Sequence, residues 1–186
     1  MKSRLFAALA LLFGAFSLIS CVDADQTQEA ILVRDKEAIE KFLQENPIAS
    51  VKEYSEPIEG FYMFWQVSTK PERNSMSRGD TVTVNYTGKM LNKKIFDTSI
   101  EQVAKDNDIF TSKRKYEPLR FVNGYGEFLD GFEFAISLMH PGEKATVIFP
   151  SILGYGTRSN GAIPANSPLI FELDLVQVKK GPNLNP

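Results

Sequence analysis

The chain has one cysteine, one histidine and one tryptophan among its 186 residues. A single cysteine excludes an internal disulfide, so any folded part must be held by its core. The lone histidine, His140, lies in Met-His-Pro-Gly and reads as a turn residue, not a base. No serine sits in a Gly-x-Ser-x-Gly elbow, and no metal-ligand spacing occurs. Gly124-Tyr125-Gly126 lacks the third glycine of a phosphate-cradling loop. Hydrolytic, metal and nucleotide chemistry therefore have no support, and no cofactor is expected. Neither sign of charge dominates: 21 basic against 23 acidic residues leave a net charge of -2. Such a chain has no general drive toward nucleic acid. Its one basic cluster, Lys113-Arg114-Lys115, reads as a solvated loop. No apolar run reaches the ~20 residues of a spanning helix. What the chain does have is phenylalanine, 14 copies beside 6 tyrosines, which suits a Phe-rich core or an aromatic pocket equally.

The longest apolar run, residues 5–19, follows Lys2 and Arg4 and ends in small residues. That is the pattern of an export signal, predicted over residues 1–20. Leu18-Ile19-Ser20-Cys21 resembles a bacterial lipobox. The resemblance implies a diacylglyceryl group on the Cys21 thiol, cleavage before it and acylation of the new amine. Several acyl chains anchor firmly where one binds marginally. A lipid-anchored protein of the cell envelope, facing the periplasm, is expected. In some bacteria Asp after the cysteine retains such proteins at the inner membrane. Val22 stands there instead, which favours the outer membrane.

Residues 21–49 read as a polar tether followed by a helix over 29–45. Ile31, Leu32, Ala38, Ile39, Phe42 and Leu43 form its apolar stripe, and Pro47 ends it. The stripe suits packing on the chain's own domain or binding a partner. Residues 50–78 have β character, with a turn at Glu59-Gly60 between two strands that lead into the main domain. Thr81 to Tyr86 alternates, with Val82, Val84 and Tyr86 on one face. Strand character resumes at 94–97 after a turn. Residues 100–117 read as an irregular surface insertion. One short helix is predicted over 129–138, a turn at Pro141-Gly142 and a strand over 145–149. A last strand covers 169–178, leaving 179–186 as a tail. In that strand Leu169, Phe171, Leu173 and Leu175 share a face before Val176 and Val178 break the phase, which suggests a bulge or a strand buried on both sides there. Many strands with one short helix indicate an α+β domain, an antiparallel sheet wrapped around the helix.

Aromatic residues recur beside turn-like glycines. Val84-Asn85-Tyr86-Thr87-Gly88 precedes Ile95-Phe96-Asp97-Thr98-Ser99. Phe121-Val122-Asn123-Gly124, Glu127-Phe128-Leu129-Asp130-Gly131-Phe132 and Gly154-Tyr155-Gly156 follow. Ala162-Ile163-Pro164 and Leu169-Ile170-Phe171-Glu172-Leu173 complete the set. In order and spacing these fragments resemble the FKBP-type peptidyl-prolyl cis-trans isomerases, over residues 79–178. The resemblance implies a pocket between sheet and helix. It places Tyr86, Phe96, Asp97 and Tyr155 as the reacting set. Phe121, Phe128, Leu129, Phe132, Ile163 and Phe171 become substrate-binding residues. Phe96, Phe121, Phe132 and Phe171 would enclose the proline ring, and Tyr155 would donate to a substrate carbonyl. Ile163 would offer a backbone N–H, and Asp97 would orient Tyr86. Phe132 stands where many members have Trp, Phe128 where Val is common, and Leu119 where an aromatic is common. The implied partners are proline-containing exported polypeptides and, through the acyl anchor, a membrane.

The residue types suit this chemistry. The X-Pro bond turns over in tens to hundreds of seconds across about 18–20 kcal/mol. No bond breaks, so no nucleophile is needed. Twisting the amide ends its resonance and reduces its dipole, and an apolar aromatic pocket favours that state relative to water. A thousandfold acceleration requires only about 4 kcal/mol. The competing expectation is a chaperone or partner-binding module with an incidental pocket. Lipid-anchored FKBP-like proteins with an N-terminal helix and an enlarged loop also resemble those associated with gliding motility.

Overall fold

The computed structural model describes residues 27–70, 72 and 76–182. The signal segment and Cys21 lie outside the described residues. Helix α1 (Gln28–Glu45) leads into seven strands and two further helices. In order these are β1 (Lys52–Glu56), β2 (Phe61–Val67), β3 (Thr81–Met90), β4 (Ile95–Thr98), α2 (Glu101–Asp106), β5 (Leu119–Val122), α3 (Asp130–Ser137), β6 (Lys144–Phe149) and β7 (Leu169–Lys179). The strands form one antiparallel sheet in the order β1-β2-β6-β7-β3-β4, with β5 also paired to β3. The expected α+β architecture is the observed one.

Alternation along each strand puts one set of side chains on a concave face. Phe61, Met63 and Trp65 of β2, Val82 and Val84 of β3, Ala145, Val147 and Phe149 of β6, and Leu169, Phe171, Leu173 and Leu175 of β7 are all buried there. Phe132, Ala135 and Ile136 of α3 fill the concavity. Burying a large apolar side chain contributes about 1.5–3 kcal/mol, so this layer dominates the stability. Residues 50–78 thus do more than lead into the domain, since β2 supplies three of its core side chains. The phase break in the last strand is a bulge: Thr83 pairs with Gln177 and Val84 with Leu175, leaving Val176 unopposed and exposed.

The convex face is covered by α1. Thr27 caps the helix by accepting from Ala30 N at 3.2 Å, and the Asn46 N–H closes its end on Phe42 O at 2.8 Å, one residue before Pro47. Ile39 packs with Ile148 and Ile170, flanked by Phe42, Leu43 and Tyr62. The apolar stripe is therefore spent on the chain's own sheet.

Glu143 ties the lower end of the domain together. Its buried carboxylate accepts from Trp65 Nε1 at 2.9 Å, Thr69 N at 2.9 Å, Ser68 Oγ at 3.0 Å and His140 N at 2.9 Å, with Lys52 Nζ at 3.4 Å. Burial pushes its pKa up, but these donors outweigh burial and hold it below the usual carboxylate value.

Three local expectations are corrected. The 100–117 insertion is not irregular throughout: α2 buries Ala104 against the domain, and the Ile109 N–H closes on Ala104 O at 3.1 Å. Residues 119–122, for which no strand was expected, form β5 on the same edge of β3 that β4 uses higher up, so the insertion splits one edge in two. Gly88 lies inside β3, not at a turn.

Candidate active site

Nine residues border one cavity of about 150 Å³: Tyr86, Phe96, Asp97, Leu119, Phe128, Leu129, Phe132, Tyr155 and Phe171. Each is placed by local structure. Tyr86 projects from β3 where its backbone is locked to the start of the insertion. Its N–H donates to Ser99 Oγ at 2.9 Å, and its carbonyl accepts from Ser99 N at 3.0 Å and Thr98 Oγ1 at 2.9 Å. Phe96 and Asp97 come from β4. Phe132 rises from the first turn of α3 to form the floor, with ring centroids 5.1 Å from Phe171 and 5.9 Å from Tyr86, both edge-on. Phe171 meets Phe96 edge-on at 5.7 Å and stacks on Phe149 behind it at 5.8 Å. Edge-to-face pairing gives the walls defined positions as well as apolar area.

Residues bordering this aromatic box carry polar groups at three points. At the first, Tyr86 donates its hydroxyl to Asp97 Oδ2 at 2.5 Å, while Asp97 Oδ1 accepts from Arg114 at 2.6 Å and from Thr98 N at 2.9 Å. Arg114 also donates to Thr98 O at 3.2 Å. Burial, then the bond to Asp97, pushes the Tyr86 hydroxyl up to about 12, with Arg114 acting the other way. Both Asp97 oxygens are engaged and its charge is balanced by Arg114, so it orients Tyr86 as expected and is poorly placed to act as a base.

The second point is the Tyr155 hydroxyl, which makes no hydrogen bond among the described residues. The third is the Leu129 N–H. Leu129 precedes α3 with φ -63 and ψ 138. Glu133 reaches back to take the Phe128 N–H at 3.0 Å and the Gly124 N–H at 3.3 Å, and no acceptor among the described residues takes the Leu129 N–H. It sits at a helix N-terminus, where unsatisfied donors and the helix dipole favour a carbonyl oxygen.

Most site residues expected from the sequence therefore converge, with two exceptions. Phe121 is buried behind the wall, its ring 4.9 Å from Phe128 and 6.2 Å from Phe132, and does not border the cavity. The expectation that Ile163 offers its N–H to substrate is corrected: that N–H donates to Asn160 O at 2.9 Å within a tight bridge, and the side chain is only 4% exposed. Leu129 supplies the free N–H instead. Arg114, read as part of a solvated cluster, was missed altogether. It belongs to the site because the insertion folds back, with Tyr116 stacked on Phe110 at 5.4 Å and the Arg114 guanidinium 4.9 Å from the Tyr116 ring. A larger groove of about 400 Å³ lies between α1 and residues 151–158 and shares Tyr155 with the cavity. It lacks the apolar ring enclosure of the smaller one.

A sheet curled over a short helix frames an aromatic cavity sized for a small apolar group and bordered by residues with unclaimed donors. The profile of the family described as FKBP-type peptidyl-prolyl cis-trans isomerase matches residues 72–176, and the chain belongs to that family. It is 44% identical over 90 residues to a short-type peptidyl-prolyl cis-trans isomerase of Methanocaldococcus jannaschii, covering 48% of this chain and 57% of that protein. It is 33% identical over 125 residues to FK506-binding protein 1 of Eremothecium gossypii, covering 67% of this chain and 98% of that one. Among solved structures it is similar to FkpA from Escherichia coli, with TM-score 0.57 and 27% identity over 81% of this chain and 60% of that one. All nine cavity residues and Arg114 fall within the matched part, whereas α1, β1 and β2 lie outside it.

Proposed function

We propose that this chain catalyses cis-trans isomerisation of X-Pro bonds in exported polypeptides while anchored to the envelope through lipid on Cys21. One observation carries the catalytic part: an aromatic cavity of about 150 Å³ bordered by Tyr155 and Leu129, whose hydroxyl and N–H are unclaimed donors among the described residues. Phe96, Phe132 and Phe171 take the proline ring. The donors hold backbone carbonyls of the substrate beside it. The planar amide arrives with a large dipole that the apolar walls solvate poorly. As it twists the dipole falls, so the walls lose less than water would, and the transition state is favoured. Asp97, held by Arg114, keeps Tyr86 aligned as a fixed wall whose high pKa leaves its hydroxyl neutral through the physiological range.

Measurement of cis-to-trans conversion of an X-Phe-Pro peptide tests this directly. Acceleration by the wild type, abolished in Phe96→Ala, is expected; a wild-type rate equal to the uncatalysed one would refute it. The anchor rests on the lipobox-like Leu18-Ile19-Ser20-Cys21. Labelled palmitate incorporated by the wild type and absent from Cys21→Ser is the expected result, and a soluble, unlabelled wild type would overturn it. Val22 supports placement at the outer membrane, which fractionation checks. A setting among gliding-motility lipoproteins rests on the N-terminal helix with an enlarged loop; deletion that leaves colony spreading intact would remove it.

A further inference from the structure

Asp35 is a carboxylate in the middle of α1, only 2% exposed, on a helix outside the family-matched region. Burying a carboxylate is costly unless hydrogen bonds replace its water. An apolar residue there would glue the helix to the sheet equally well, as Ile39 does nearby. Apolar contact is non-directional, whereas a carboxylate fixes the position of what it binds. Its Oδ2 accepts from both Ser151 N at 2.9 Å and Ser151 Oγ at 2.5 Å. Ser151 is itself buried, and its carbonyl accepts from Gly154 N and Gly156 N, each at 2.8 Å. Those two glycines flank Tyr155. One serine is thus gripped by α1 on its donor side and holds both neighbours of Tyr155 on its acceptor side.

We infer that Asp35 is a positioning residue for Tyr155, so that α1 is a working part of the active site acting through Ser151. The inference rests on the isomerase reading and extends the site beyond the family's own segment. Gly156, with φ 58, adopts a left-handed backbone conformation that favours glycine. Such a loop does not hold its shape by local preference alone and needs an external fixed point. Asp35 supplies it, and the Tyr155 hydroxyl is directed at the substrate carbonyl as a result.

A double-mutant cycle decides the matter. Removing the grip in Asp35→Ala lowers kcat/KM by about twofold to tenfold, the scale of one misdirected hydrogen bond. In a Tyr155→Phe background the same change costs almost nothing further, because the group it aims is gone. Asp35→Asn retains most activity, since an amide oxygen can take the place of Oδ2. Ile39→Ala loosens α1 without touching the Ser151 bonds, lowering thermal stability while leaving kcat/KM unchanged. Amide hydrogen exchange gives a readout independent of catalysis: Gly154 and Gly156 exchange faster in Asp35→Ala and not in Ile39→Ala. Should Asp35→Ala fold poorly, Ser151→Ala, which keeps the N–H bond and loses only the hydroxyl, is expected to show a smaller shift of the same kind. Equal losses in both Tyr155 backgrounds, or unchanged exchange at the two glycines, would overturn the inference. A wild type with no isomerase activity would refute the proposed reaction, leaving hydrogen exchange alone to decide whether Asp35 holds the loop.

Discussion

Gly88→Ala is the substitution in which one methyl group should cost most of the activity. Gly88 lies inside β3 between two cavity walls. A Cβ built there comes within 2.6 Å of two Phe96 ring atoms and 2.8 Å of Phe171. Apolar carbons rest at about 3.5–4 Å, so both rings must retreat by roughly 1 Å. Phe171 is backed by Phe149, stacked at 5.8 Å, and cannot move away from the cavity without disturbing the core. The rings therefore close on a space of about 150 Å³. Overpacking of this kind costs about 1–3 kcal/mol of stability. Misplacement by about 1 Å at a reacting site costs as much as ~100-fold in rate. The expected variant folds with a lowered urea midpoint and isomerises an X-Phe-Pro peptide tenfold to ~100-fold more slowly. Activity within twofold of wild type would show that Phe96 and Phe171 do not form the proline box.

Three further outcomes follow from the same geometry. Glu143→Ala strands the buried indole donor of Trp65, worth about 1–3 kcal/mol, and takes the acceptor from the part-buried Thr69 and His140 N–H groups, worth about 0.5–1.5 kcal/mol each; a stability loss of about 3 kcal/mol by urea unfolding is expected, and under 1 kcal/mol would contradict the role given to this carboxylate. Because the Glu143 pKa is lowered on folding, the unfolded chain takes up its proton first as pH falls; its contribution is intact above about pH 4.5 and lost as pH drops through the folded value, an acid-sensitive component that Glu143→Ala should lack. Leu129→Pro removes the free N–H at a backbone whose φ of -63 already suits proline; compared with Leu129→Ala it should bind substrate about tenfold more weakly, measured as KM, and equal values would remove this N–H from the site.

Much of this was legible in the residues. The stripe Ile31, Ile39, Phe42 and Leu43 announces a helix with one buried side because helical period puts them on one face. The phase break after Leu175 announces either a bulge or a strand buried on both sides, and an exposed, unopposed Val176 makes it the bulge. Tyr86, Phe96, Asp97, Phe132, Tyr155 and Phe171 were identifiable because their spacing resembles that of a whole family. Arg114 was not, since a loop carries no periodicity, and a cation flanked by two others reads as solvated until the insertion folds it onto Asp97. Ile163 and Leu129 illustrate a similar limit. Which backbone N–H stays free depends on where every other acceptor has gone, and Asn160 O and Glu133 settle that only in the folded chain.

The residues by themselves determine most of the elements, though not α2 or β5, together with the apolar faces and the family, because these follow from local period and from motif order. The tertiary structure decides the rest. It turns α1 inward onto its own sheet and brings a split edge strand and its insertion around one cavity. It also connects Asp35 to Tyr155 through a serine 116 positions away in sequence. Hydrogen bonds between such distant groups depend on angles and distances within a few tenths of an ångström, and only packing of the complete fold sets those.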